Sequence, residues 1–201
     1  MEREGTLPLD ELFGLTGALI DVLRYLHLDC EGVVVFGDLK PANILRTAPC
    51  FYRLVDLGLV SYKGTKFSQR IAVFSPKYGA PERGQGGAAD PIHDIYSFGA
   101  TVYFAMVGKE PGSRLSEDQK TRLVARVIAE ETDWNKESQQ AMAELLSLSL
   151  AALDPDPYAR PPNIGLFKQS WDRCREVRDK DAGRKVGGSA DDIVRKLYKK
   201  K

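Results

Sequence analysis

Asp38-Leu39-Lys40-Pro41-Ala42-Asn43 and Asp56-Leu57-Gly58 carry the side chains best equipped for chemistry. A loop carboxylate such as Asp38 can orient a hydroxyl and accept its proton. Lys40, two residues on, can lie along the same loop and face an anionic group in transit. Asn43 offers an amide oxygen and Asp56 a charged one, the ligand types a hard cation such as Mg²⁺ takes. A base, a cation and paired oxygen ligands are what phosphoryl transfer from ATP needs, since that reaction rests on positioning and charge neutralisation. Asp38 or Asn43 taken alone would serve as a turn former. The grouping is what points to chemistry.

These residues sit at the ends of short extended runs, and longer helical patterns surround them. From Leu9 to Leu26 apolar residues recur at three- and four-residue steps (Leu12, Leu15, Leu19, Val22 or Leu23, Leu26), which predicts an amphipathic helix. Val33-Val34-Val35-Phe36 reads as a strand, Gly37 to Asn43 as a polar loop, and Phe51 to Val60 as a second extended stretch. Thr65 to Gly87 loses all periodicity and reads as a long surface segment. Ile95 to Val107 is apolar nearly all round, so that helix must be buried on every side. Ser116 followed by Gln119 has the form of a capping box opening a helix through Ile128. Further helices are expected over Ser138 to Leu153 and Ile164 to Val177. The fold class is therefore mainly α with a few short β-strands. Beyond Arg178 the chain turns basic and glycine-containing, which reads as a loosely docked tail, with a phosphate- or membrane-seeking patch as the alternative.

Composition removes several classes. With 201 residues, 43% hydrophobic and 28% charged, the chain can bury one substantial core. A net charge of +1 gives no general attraction to nucleic acid, so none is expected as a partner. No run approaches the roughly 20 apolar residues of a membrane-spanning helix, and Met-Glu-Arg-Glu-Gly does not open a signal peptide. Three cysteines without paired spacing point to reduced thiols and a cytoplasmic location.

The ordered motifs resemble the eukaryotic-type Ser/Thr protein kinase family, in its C-terminal lobe. D-L-K-P-A-N is followed, thirteen positions after Asn43, by Asp56 in Asp-Leu-Gly. Ala80-Pro81-Glu82 is similar to the A-P-E that closes a kinase activation segment, and twelve positions later comes Asp94 in Asp-Ile-Tyr-Ser-Phe-Gly. Leu153-Asp154-Pro155 and Arg160-Pro161 complete the series. The resemblance implies ATP with Mg²⁺, or Mn²⁺ in its place, as cofactors and a protein substrate. It implies Asp38 and Lys40 as catalytic residues, and Asn43 and Asp56 as metal and cofactor ligands. Ser75, whose hydroxyl in the family bonds the catalytic aspartate and lysine, and Tyr78 would belong to the activation segment. Glu82 and Arg160 would form an ion pair, and Asp94 would tie down the catalytic-loop backbone. On this reading residues 1–8 form a hinge-like start, 9–177 the kinase C-lobe and 178–201 the tail.

Departures from the family pattern shape the remaining expectations. No G-x-G-x-x-G loop and no V-A-I-K lysine precede the catalytic segment, and Met1-Glu2 resembles the hinge between lobes. The N-lobe is then expected elsewhere, by truncation or from a partner polypeptide in trans, and the isolated chain is expected to show little activity. An apolar face around Phe13, Val35 and Leu57 is expected to be uncovered. Phe36-Gly37 stands where the family has His-Arg, so no catalytic-loop arginine can receive an activation-segment phosphate. Leu57 replaces the phenylalanine of D-F-G but leaves Asp56 in place. His27 and His93 read as ordinary helix residues. The alternatives to a protein kinase are a non-catalytic C-lobe acting as a binding or regulatory module, and a small-molecule phosphotransferase, which would lack the A-P-E segment.

Overall fold

The helix that was expected to be buried on every side is the axis around which the rest packs. The computed structural model describes residues 6–65, 77–85, 88–112, 115–129 and 134–181. Helix α2 (Pro91–Val107) carries Ile95, Phe98, Ala100 and Val102 with no exposed surface. Burying a side chain of that size contributes about 1.5–3 kcal/mol before entropy is charged against it. The helix begins at Pro91, earlier than its apolar run. Asp90 accepts from the Ile92 N–H at 3.0 Å and Pro91 needs no donor partner there.

Around α2 lie α1 (Leu9–Arg24), α3 (Glu117–Ala129), α4 (Lys136–Ala151) and α5 (Ile164–Asp181). α1 and α4 both pack on α2, and α5 closes over α1 and α4. Gly99 permits the α2–α4 approach, because a Cβ there would lie 2.7 Å from the Ser149 carbonyl oxygen. Phe98 meets Phe167 of α5 edge to face at 5.0 Å. α3 opens with the expected box: the Gln119 N–H donates to Ser116 Oγ, and the Ser116 N–H to Gln119 Oε1. After α1 the helix widens into a π turn over Tyr25–Asp29, which carries His27.

Among the described residues there are four short strands in two antiparallel pairs. β1 (Val34–Val35) pairs with β4 (Ser61–Tyr62), with Val35 opposite Ser61. β2 (Ile44–Ala48) and β3 (Phe51–Leu54) form a hairpin with Ile44 opposite Leu54 and a bulge between Arg46 and Ala48. The strand β2 was not evident from the sequence, since four of its five residues are exposed. Glu11 of α1 pins the hairpin: its carboxylate accepts from Arg46 Nη2 at 2.5 Å, from the Cys50 N–H at 3.2 Å and from the Tyr52 hydroxyl. The Arg46 bond is the main reason its carboxyl sits at about 2, far below the usual carboxylate range.

The expected exposed face is different in composition. Phe13 is buried because Trp171 stacks on it at 5.1 Å and Trp134 meets it edge-on at 5.9 Å. Val35, within the β1–β4 pair, is wholly buried, while Leu57 is 68% exposed, as anticipated. Leu45 and Val55 share that exposure in place of Phe13 and Val35. No helix among the described residues is long and apolar enough to cross a membrane. Met1-Glu2, Ser75 and the tail beyond residue 181 lie outside the described residues.

Candidate catalytic site

Phe36 and Leu39 are each 1% exposed, and they clamp the two ends of the Phe36–Leu39 segment into the core. With these neighbours inward, Asp38 and Lys40 are left at the surface of the loop. Lys40 Nζ donates to Asp38 Oδ2 at 2.7 Å. A 3₁₀ turn over Pro41–Asn43 then brings the chain back, so that Asn43 Nδ2 donates to the same Asp38 Oδ2 at 2.9 Å and to the Asp38 carbonyl at 2.8 Å. Asp38, Lys40 and Asn43 thus form one bonded cluster.

Asp56 is linked to the cluster only through the backbone of the hairpin. The Val55 N–H donates to the Asn43 carbonyl at 2.9 Å, which extends the β2–β3 ladder by one bond and sets Asp56 next to it. Asp56 adopts a left-handed conformation (φ 64°), one that aspartate tolerates better than most residues. One of its oxygens accepts from the Gly58 N–H at 3.1 Å, and its side chain is exposed.

Asp94, in the first turn of α2 and 1% exposed, fixes the loop from behind. It accepts from the Phe36 N–H at 2.7 Å, from the Gly37 N–H at 2.9 Å and bonds His27 Nε2 at 2.9 Å. All three partners meet a buried carboxylate that could not remain there without them. His27 therefore has a positioning contact that its place in a helical pattern did not reveal.

Glu82 and Arg160 meet in two charge-assisted bonds, Nη1 to Oε1 at 2.7 Å and Nη2 to Oε2 at 2.8 Å. Arg160 is buried, donates from Nε to the Asp154 carbonyl at 2.7 Å and lies 4.9 Å from the centre of the Tyr96 ring. Burial pushes the Glu82 carboxyl up, but the bonds from Arg160 prevail and hold it below its ordinary value. Burial also pushes His93, 3.7 Å from Glu82, below the usual histidine value.

Over residues 1–171 the chain matches the family model described as protein kinase domain. The chain belongs to the protein kinase family. It is similar to the L-type lectin-domain containing receptor kinase SIT2 of Oryza sativa subsp. japonica, 31% identical over 78% of this chain and 25% of that protein. It is also similar to the leucine-rich repeat receptor-like protein kinase TDR of Arabidopsis thaliana, 30% identical over 69% of this chain and 14% of that protein. A third relative is the SNF1-related protein kinase catalytic subunit alpha KIN12 of Arabidopsis thaliana, 32% identical over 54% of this chain and 22% of that protein. The chain spans a quarter or less of the length of these three relatives.

In this member of the family the space beside the Phe36–Asn43 loop is filled in an unforeseen way. Gly37 has φ 83°, and a Cβ there would lie 2.7 Å from the Leu59 carbonyl oxygen, so position 37 has no room for a side chain. The buried Arg83, directly after Ala80-Pro81-Glu82, donates to the Gly37 carbonyl instead. Burial lowers its guanidinium from the ordinary value, and Asp94, Asp38 and Glu82 oppose that effect. A cation therefore does meet the Phe36–Asn43 loop, but it comes from just after Ala80-Pro81-Glu82. An arginine after A-P-E together with a glycine before Asp38 was the available signal. Tyr78 is placed against Phe104 of α2, with ring centres 6.0 Å apart, and is not part of the Asp38 cluster.

Proposed function

We propose that this chain carries the catalytic loop of a Ser/Thr protein kinase, which transfers the γ-phosphoryl group of ATP to a serine or threonine hydroxyl of a protein. The observation that carries the reading is the meeting of Lys40 Nζ and Asn43 Nδ2 on one oxygen, Asp38 Oδ2, at 2.7 and 2.9 Å. Asp38 orients the incoming hydroxyl and takes its proton. Lys40, already paired with Asp38, faces the anionic group being moved and offsets its charge.

The residues present fit a nucleotide with its metal. Turning Nδ2 toward Asp38 leaves the Asn43 oxygen as its cation-facing atom, and Asp56 offers a carboxylate at the neighbouring strand end. One amide oxygen and one carboxylate, with phosphates and waters completing the shell, match the preferences of Mg²⁺, and Mn²⁺ accepts the same donors. When bound, the metal neutralises phosphate charge. Leu45, Val55 and Leu57 are exposed beside these ligands and offer apolar surface to a nucleotide base. A cytoplasmic setting belongs to the same proposal, since Cys30, Cys50 and Cys174 carry free thiols.

That apolar strip also favours a second reading, in which the surface binds a covering polypeptide in trans and the chain acts as a regulatory module. Thermal unfolding with and without Mg²⁺–ATP separates the two. Ligand at about 100 times its dissociation constant raises stability by about 2.7 kcal/mol. Phosphorylation of a serine- and threonine-containing test protein, by the whole protein that carries this chain, is expected to fall about 10²- to 10⁴-fold in Asp38→Asn. Absence of any stabilisation by Mg²⁺–ATP would favour the module.

A further inference from the structure

Asp38 hangs between two peptide planes, and different parts of the molecule hold each of them. The plane that follows it is held within the loop, because the Asp38 carbonyl accepts from Asn43 Nδ2 at 2.8 Å. The plane that precedes it joins the Gly37 carbonyl to the Asp38 N–H, and the rigid amide makes these two groups turn as one. That plane starts from the residue least able to hold it. Gly37, at φ 83°, has no Cβ to restrict its backbone, and glycine leaves both signs of φ open. A residue with a side chain cannot take its place, since a Cβ would lie 2.7 Å from the Leu59 carbonyl oxygen.

The restraint therefore has to come from outside the loop, and it comes from two directions. The Gly37 N–H donates to Asp94 Oδ1 at 2.9 Å. The Gly37 carbonyl accepts from Arg83 Nη1, and a charged donor makes one of the stronger bonds a backbone carbonyl can receive. Arg83 is itself held in place. It is buried, and its own N–H donates to the Ala80 carbonyl at 3.1 Å in a 3₁₀ turn over Pro81–Gln85. The residue before it, Glu82, is bonded twice to Arg160, at 2.7 and 2.8 Å. A continuous line of fixed groups thus runs from Arg160 through Glu82, Arg83 and Gly37 to Asp38.

We propose that Arg83 is a positioning residue for phosphoryl transfer, acting through the Gly37 carbonyl to set the angle at which Asp38 presents its carboxylate to the incoming hydroxyl. The inference rests on the kinase reading of the Asp38 cluster. Its effect is on orientation alone, and a misplacement of about 1 Å at a reacting group can cost about 10²-fold in rate. Binding of nucleotide and protein substrate depends on other groups, so the loss should fall on kcat and spare KM.

Arg83→Met and Arg83→Lys, made in the whole protein that carries this chain, are compared with wild type below their unfolding temperatures, using Mg²⁺–ATP and a serine- and threonine-containing test protein. Arg83→Met is expected to lower kcat about 10- to 100-fold, while KM for ATP and for the test protein each change by less than about twofold. Arg83→Lys keeps a charged donor without the planar fork and should recover part of the lost kcat. Carbon-13 and amide NMR of this chain gives a readout that does not depend on activity. The Gly37 carbonyl and Asp38 amide resonances should move in Arg83→Met and return toward wild type in Arg83→Lys. An unchanged kcat in a folded Arg83→Met variant, a rise in KM alone, or a Gly37 carbonyl resonance that stays put would overturn this role and leave the kinase reading standing. A wild-type protein that transfers no phosphate would overturn both.

Discussion

Asp38 and Asp56 serve one proposed reaction from supports of opposite kind. The loop bearing Asp38 is held by groups inside the core: Asp94 is 1% exposed and reaches two of its amides, and buried Arg83 reaches a carbonyl. The strand end bearing Asp56 is held at the rim, by one ladder bond to Asn43 and one turn bond from Gly58. Its neighbour Leu57 is 68% exposed. The loop half is thus part of what keeps the chain folded, and its chemistry cannot be altered from behind without cost to stability. The strand end at Asp56 should change at little cost to folding. Position in the fold, and not chemical role, decides which residues are bound up with stability.

Asp94→Ala gives the sharpest break in that contrast. It strands the Phe36 and Gly37 amides and removes the carboxylate that His27 bonds, so about 3–5 kcal/mol should be lost in urea unfolding. Hydrogen exchange at residues 36 and 37 should accelerate by more than the global loss accounts for. Retained protection at those amides would mean that the loop is supported elsewhere. Arg83→Met comes next, at about 1–3 kcal/mol, because the Gly37 carbonyl loses its donor while most of the side-chain volume stays. Arg83→Lys, which keeps a cation and a donor, should recover part of that loss. If Met and Lys unfold alike, the contact is packing alone.

The two halves also differed in how far the sequence could be read. The site motif was legible because its members lie close along the chain: Asp38, Lys40 and Asn43 fall within one turn of a loop, and the ladder bond from Val55 to Asn43 follows from a local hairpin. α2 was legible because a helix apolar all round has one place to go. β2 was not, since only Ile44 of its residues is even half-buried and no alternation results. Phe13 was misassigned to an open face because its covers, Trp134 and Trp171, come from the far end of the chain. Arg83 and Glu11 share that difficulty. A lone charged residue does not announce which carbonyl it will meet, or that Arg46 lies 35 residues away across a hairpin.

The hairpin support carries a pH signature that the loop support does not share. Glu11 is held at about 2 in the fold against an ordinary value of 4.5. A depressed carboxylate stabilises the fold above its unfolded value and gives that stability up as pH falls toward its folded value. The wild-type chain should therefore lose this contribution between about pH 4.5 and about pH 2. Glu11→Gln should lack it, so the difference between the two unfolding curves narrows through that window and vanishes at its acid end. A difference that stays constant across the window would show that Arg46 and Tyr52 hold the hairpin without needing the charge.

Asp56→Ala should have the smallest effect on folding and tests the comparison most directly. The side chain is exposed and gives up one turn bond, and alanine at φ 64° is more strained than aspartate, so unfolding should change by about 1 kcal/mol. Stabilisation by Mg²⁺–ATP should disappear all the same, because the carboxylate is the charged half of the proposed ligand pair. A variant that is nearly as stable as wild type and no longer responds to nucleotide would separate the two supports cleanly. Should Asp56→Ala instead unfold the chain, the hairpin end would belong to the core as much as the loop does, and the division between them would fail. Should it fold normally and still respond to Mg²⁺–ATP, the division would stand and Asp56 would lose its proposed role. The left-handed backbone at Asp56 sharpens the choice of control: Asp56→Asn tolerates φ 64° and keeps the turn bond, so it isolates the charge from the conformation.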